Sequence, residues 1–358
     1  NPAVENLRRK VTAEHAEFVT ITKFLSKDVS NDCDILCLDE CSTISNRDMV
    51  RVLQRAQCKL LVLVGDIYQI ESILFGNWFN IAYKVMPKDS VAELTRPHRT
   101  TVQGLIEVWN KVREITEDRL EFITRNGLSS TLDESIFSRT EEDEIVLCLN
   151  YDGIYGINNI NKFLQSNNVN PSINWGVLSY KVGDPVLFNE SNRFAPLVYN
   201  NLKGKILQIE EEEDCIYFTI EVYTVLNELD VIGFDLELKE SVTDETSVIR
   251  FKVGRGGDGN DDNDNVENVV PFQVAYAISI HKAQGLEYES VKVVITSEIE
   301  EMVSHNIFYT AITRAKSKLK IYWSPETEKR ILENMKVQFN DKDYQLFKAK
   351  YKEALLKS

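Results

Sequence analysis

Apolar positions along this chain change texture twice. Near the start, Asp34-Ile35-Leu36-Cys37-Leu38 and Lys59-Leu60-Leu61-Val62-Leu63-Val64 are continuous apolar runs, ended by Asp39-Glu40 and Gly65-Asp66. A helical pattern over 46–56 separates them, and a helix over 3–16, a strand over 18–21 and a short helix precede them. Continuous runs alternating with helices predict buried parallel strands of an α/β sheet. Residues 94–170 read as largely helical, with one strand over 144–149. From 182 to about 270 the pattern becomes short alternating segments, at 185–188, 204–209, 216–225, 231–238 and 247–253, separated by acidic and Gly/Asn-rich turns. That texture predicts a small all-β barrel. Parallel α/β texture resumes at Phe272, with strands over 291–295 and 319–323, and a last helix is predicted over 326–356. The β region is therefore an insertion in a second α/β domain.

A length of 358 residues predicts two or three domains. Composition is that of a soluble globular protein, 43% hydrophobic and 27% charged. No apolar run reaches the roughly 18–20 residues of a membrane span, which points to a cytoplasmic protein. The net charge of −15 opposes broad non-specific nucleic-acid binding. Much of the acid is concentrated in 210–214 and 258–267, so a basic groove elsewhere is compatible with it. Cys33, Cys37 and Cys41 are evenly spaced, but no second cluster or spaced His completes a metal set. Reduced thiols of a cytosolic protein are the better reading.

In an α/β sheet, chemistry gathers at the carboxyl ends of strands, where Asp39-Glu40 and Gly65-Asp66 stand. Asp39 and Glu40 can divide the work of nucleotide hydrolysis, one holding Mg²⁺ and the other polarising a water. Without context a solvated strand end explains them equally well. Gln69, shortly after Gly65-Asp66, supplies a neutral hydrogen-bonding side chain able to meet a phosphate or its water. Arg99 and Arg314 carry the forked guanidinium that suits phosphate; a surface ion pair is the competing reading of Arg99, disfavoured by its spacing from Leu94-Thr95. Gly285 permits a close backbone turn within 275–287, beside His281, Lys282, Gln284 and Glu287.

The order of these segments resembles superfamily 1 helicases of the RecD-like branch. Leu36 to Glu40 is similar to the Walker B motif, and Leu63 to Ile70 to motif III, with Ile67 where the family usually has Pro. Glu93 to Thr100 is similar to motif IV, Ala275 to Glu287 to motif V and Tyr309 to Lys316 to motif VI. Pro2 to Leu7 resembles motif Ia, and 183–189 with 199–204 the start of the inserted barrel. The resemblance implies two RecA-like parallel-sheet lobes, the first truncated at its N-terminus, with an SH3-like barrel inserted in the second. The expected divisions are 1–93, 94–175, 176–270 and 271–358.

It also implies ATP and Mg²⁺ as cofactors. Asp39 would take the metal, Glu40 serve as base, Gln69 sense the γ-phosphate, Arg99 contact it and Arg314 act as arginine finger. Glu287, with Gly285, would meet the nucleotide. Pro2, Ala3, Tyr68, His281, Lys282 and Gln284 would contact single-stranded DNA or RNA, with movement 5′→3′. Tyr68 and Trp175 are the preferred base-stacking aromatics, ahead of Trp78, Phe79, Tyr151 and Tyr155. Protein partners in a repair, mobile-element or phage-defence complex are implied, and a membrane is not. The Gly204-Lys205 pair lacks a following Ser/Thr and leads into a strand, so it is no phosphate loop. Relatives place that loop before motif Ia, so it is expected upstream of Asn1, and residues 1–358 alone are expected to hydrolyse ATP poorly. The alternatives are a non-catalytic nucleic-acid-binding or scaffold subunit and an RNA helicase of the same superfamily.

Overall fold

The computed structural model describes residues 16–26, 32–71, 76–189, 193–195, 197–241, 243–255, 268–336 and 341–355. Pro2, Ala3 and nearly all of the helix expected over 3–16 lie outside them. The chain divides into two units, Glu17–Thr131 with Ile295–Ser358, and Leu132–Val294 with Asn1–Ala16.

The first unit opens with residues 17–20 outside any regular element, where a strand is expected over 18–21, and the expected short helix follows as α1 (Ile21–Phe24). Thr20 overrides the apolar pattern, because its hydroxyl accepts the Lys23 N–H and caps a helix. Strand β1 (Asp32–Leu38) follows, then α2 (Asn46–Arg55) and β2 (Gln57–Leu63). Ser45 caps α2 by accepting the Asp48 N–H. The strands pair in parallel from Asp32↔Gln57 to Leu38↔Leu63. Leu36, Leu38, Leu61 and Leu63 pack with Phe24, Ile44, Met49 and Val52. The opposite face was expected to be buried too, yet Ile35 and Leu60 are 60% and 53% exposed. Among the described residues the core of this sheet forms on the α1/α2 side. Helices α3 (Trp78–Val85), α4 (Gln103–Arg113) and α5 (Arg119–Arg125) and strand β3 (Ser129–Ser130) complete this segment.

The second unit begins with β4 (Glu144–Cys148), buried along its whole length, and α6 (Ile157–Ser166). A hairpin of β5 (Ser172–Trp175) and β6 (Leu178–Lys181) leads into the β-rich region. That region comprises β7 (Pro185–Phe188), β8 (Lys203–Glu211), β9 (Cys215–Val222), β10 (Glu237–Lys239), β11 (Ser247–Gly254) and β12 (Phe272–Val274). They form one antiparallel sheet ordered β10-β11-β9-β8-β7-β12, and no pairing of β10 with β12 closes it among the described residues. Strand β9 alternates strictly, placing Ile216, Phe218, Ile220 and Val222 in the core. Phe218 and Phe272 meet edge to face at 4.9 Å, and each buried Phe contributes about 1.5–3 kcal/mol. The strand expected over 231–238 shrinks to β10. Asn227 Oδ1 accepts the Leu229 and Asp230 N–H groups, and Gly233 has φ of 89°, so local turn bonds replace the ladder. The parallel strands β13 (Ala277–Ser279) and β14 (Tyr288–Val294) flank β4. The Asn161 side chain of α6 donates to the Ala277 carbonyl and accepts its N–H, fixing β13.

The chain then returns to the first unit with α7 (His305–Ile312), β15 (Ala315–Tyr322), α8 (Pro325–Asn334) and α9 (Asp341–Leu355). Strand β15 pairs in parallel with β3. The segment similar to motif VI opens on the apolar run Tyr309–Ile312, a β-type pattern as sequence; it is helical, because α7 is buried on nearly every side and so lacks an amphipathic period. The single last helix expected over 326–356 is two helices. Among the described residues no helix is long and apolar enough to cross a membrane.

Candidate nucleotide site

At the end of β1 the chain turns sharply. Glu40 adopts left-handed backbone angles, φ 53° and ψ 41°, at a cost of about 1–2 kcal/mol for a non-glycine residue. Its N–H donates to Asp39 Oδ1 at 2.9 Å. Its carbonyl accepts the Thr43 N–H and hydroxyl, which start a short 3₁₀ turn. The end of β2 lies alongside, with Cys41 N–H donating to the Val64 carbonyl at 2.8 Å. Gly65 is required by this approach. A Cβ there would lie 2.9 Å from Phe79 and 3.1 Å from the Cys41 nitrogen. Asp66 then shapes the next turn, accepting the Tyr68 N–H through Oδ1 and the Gln69 side-chain amide through Oδ2.

Two arginines from distant parts of the unit join these acids. Arg99 donates to the Thr313 carbonyl at 2.5 Å. Arg314 is 1% exposed; its Nε donates to the Thr310 carbonyl and its Nη2 to the Thr313 hydroxyl. Burial raises the pKa of Glu40, Asp39 and Asp66 push it further up, and Arg314 and Arg99 oppose them. Burial pushes Arg314 down to about 10, aided by Arg99 and opposed by Glu40, Asp66 and Tyr309, so it remains charged at neutral pH. Cys41 is pushed up to about 12, chiefly by burial, which makes it a packing residue and not a nucleophile. The first unit thus gathers Asp39, Glu40, Asp66, Gln69, Arg99 and Arg314 around one electrostatic centre.

Tyr68 is half-buried. Its ring meets His305 and Tyr309 edge-on at 6.1 and 6.0 Å, with the Arg113 guanidinium 5.9 Å from its centre. Trp175, preferred as a base-stacking residue, is instead buried in the core of the antiparallel sheet, with Arg255 over its ring at 4.9 Å. Hydrophobic packing accounts for it. Trp78 donates to the Ile44 carbonyl, Tyr155 to the Leu132 carbonyl, and Tyr151 is exposed.

In the second unit, residues 280–285 form a turn after β13. Gly285 has φ of 74°, a conformation that favours glycine. Lys282 Nζ donates to Gln273 on β12 at 2.7 Å, and its N–H to the Ser279 hydroxyl. The Glu287 carbonyl accepts from Lys203 at 3.1 Å. His281, Gln284 and Glu287 are half-buried.

Asp39 is exposed at the strand end. Among the described residues no three His, Cys, Asp or Glu side chains converge as a metal centre. Magnesium, which takes one or two carboxylates and completes its shell with nucleotide phosphates and water, suits a single carboxylate in that position. The residues present therefore fit a metal–nucleotide complex better than a metal alone.

Two family models match the chain, an AAA domain over residues 3–133 and a UvrD-like helicase C-terminal domain over residues 274–322. A RecBCD enzyme subunit RecD from Mycolicibacterium smegmatis is 22% identical over 336 residues, covering 85% of this chain and 52% of that protein. By these matches the chain is related to the RecD-like helicases of superfamily 1. The fold of this RecD-like chain is also that of the Pif1 helicase from Candida albicans, with a TM-score of 0.51, 18% identity, and coverage of 92% of this chain and 80% of that one. An uncharacterised protein of Methanocaldococcus jannaschii is 24% identical over 354 residues, covering 82% of this chain and 29% of its own length. The RecD-like chain thus spans about half of the RecD relative and under a third of the archaeal one.

Sequence reading missed three polar residues at this site. Asp66 was noticed only as part of a turn, although an Asp two residues before a bonded N–H is an Asx-turn signature. Asn306 and Thr310, on α7, carried no local signal.

Proposed function

We propose that this chain forms part of an ATP-dependent motor that couples hydrolysis to movement along single-stranded nucleic acid, DNA in the first instance. The observation that carries this reading is the convergence of Glu40, Asp66, Gln69, Arg99 and Arg314 in one unit. Magnesium, when bound with the nucleotide, would neutralise phosphate charge. Asp39 would hold it. Glu40, its pKa raised by burial, would accept a proton from the attacking water at its carboxylate. Gln69 would orient that water or the γ-phosphate. Arg99 and Arg314 would offset the charge that grows on the transferred group. Gly285 and Glu287 would serve the nucleotide, and His281, Lys282, Gln284, Tyr68, Pro2 and Ala3 the strand. RecD belongs by name to the RecBCD enzyme, which supports a protein complex as the setting.

The chain contains no Gly-Lys-Ser/Thr tripeptide, so the test uses the full-length protein. ATP hydrolysis is measured with and without single-stranded DNA. Hydrolysis stimulated by the strand is expected. Strand binding with no hydrolysis would favour a scaffold, and stimulation by RNA alone an RNA helicase.

A further inference from the structure

Helix α7 does more than lead to Arg314. Four of its side chains face the Asp66–Ile70 turn. Asn306 Nδ2 donates to the Gln69 carbonyl at 2.8 Å. The Thr310 hydroxyl accepts the Ile70 N–H at 3.1 Å. His305 and Tyr309 stack on each other at 6.2 Å, and the Tyr68 ring packs edge-on against both. The turn is thus fastened to the helix at three consecutive residues.

Thr310 occupies a special place in this arrangement. It is fully buried, and Ile70 is 6% exposed. Its hydroxyl holds the turn that carries Gln69, while its carbonyl accepts Arg314 Nε at 2.9 Å. One residue therefore touches both the segment of the sensing amide and the guanidinium. A displacement of either is felt by the other through two hydrogen bonds and one rigid helical turn. The Ile70 N–H is a buried backbone donor, and removal of the Thr310 hydroxyl takes away an acceptor that it uses.

We propose that Thr310 is a positioning residue that keeps Gln69 and Arg314 in mutual register, with Asn306 as its auxiliary. This rests on the functional reading above, in which both groups address one phosphate. Thr310 touches no reacting atom; it acts through Gln69 and Arg314. A displacement of about 1 Å in such a site is enough to cost on the order of a hundredfold in rate.

The test is steady-state ATP hydrolysis by the full-length protein at saturating single-stranded DNA, comparing Thr310→Val, Thr310→Ser and Asn306→Ala. Valine keeps the shape and removes the acceptor; serine keeps the acceptor. Thr310→Val is expected to lower kcat about tenfold to a hundredfold while the KM for ATP stays within about twofold. Thr310→Ser should recover kcat to within about threefold, and Asn306→Ala should lose several-fold. A folded Thr310→Val protein with kcat within about twofold of wild type overturns the proposal. So does an equal loss in the valine and serine variants, which would mark a packing role. If Thr310→Val does not fold, an Asn306→Ala kcat equal to wild type overturns it and a several-fold loss supports it. Absence of hydrolysis in the wild type would instead count against the parent reading.

Discussion

Glu40 combines two unusual properties, a left-handed backbone and a carboxyl whose pKa is raised above the ordinary glutamate value of 4.5. The protonated form cannot accept a proton from water. Hydrolysis by the full-length protein should therefore climb as pH rises through the raised value and then level, with its acid limb above the ordinary glutamate range. A pH–rate profile checks this, and a limb at the usual glutamate position would remove the burial argument. The same shift bears on stability. A raised folded-state value favours the protonated acid, so that contribution is present at low pH and is lost as pH rises through the raised value. Glu40→Gln should accordingly melt no lower than wild type near pH 7.

Among the elements, β14 carries a lysine on its buried length. Lys292 is ion-paired with Glu144 of β4 at 3.1 Å, with side chains 6% and 2% exposed. Lys292 also donates to the Ser135 and Ser138 carbonyls, and Glu144 accepts from Thr140 and Ser290. Lys292→Met would strand the carboxylate, and a loss of about 3–5 kcal/mol in urea unfolding is expected. A loss below 1 kcal/mol would mean that the pair is solvated. The sequence made β1, β2, β4 and α2 legible because long apolar runs and a capped amphipathic stretch report directly on burial and period. It misled at α7, where burial on all sides erases the helical period, and at 231–238, where Asn227, Asp230 and Gly233 impose turn bonds. It also gave no sign that Lys292 would be buried. The proximity of Arg99 to Thr313 and Arg314 spans more than two hundred residues. No local pattern encodes such a contact; the family resemblance placed the residues in one site, and Asn306 and Thr310 lay beyond its reach.

At the scale of the whole molecule, a chain of net charge −15 places its charge unevenly, with an acidic run at 210–214 and a concentrated cationic pair at Arg99 and Arg314. That distribution suits a motor whose arginines serve a phosphate site and whose strand contacts are confined to a groove. The site rests on the first unit, where the ends of β1 and β2 meet the C-terminal turn of α7. The central claim is that these parts hydrolyse ATP. Its most direct test is the hydrolysis rate of Glu40→Gln in the full-length protein, at saturating ATP, Mg²⁺ and single-stranded DNA, alongside nucleotide affinity. The rate should fall by about 10²–10⁴-fold with affinity for ATP retained. A rate within about twofold of wild type would contradict the account.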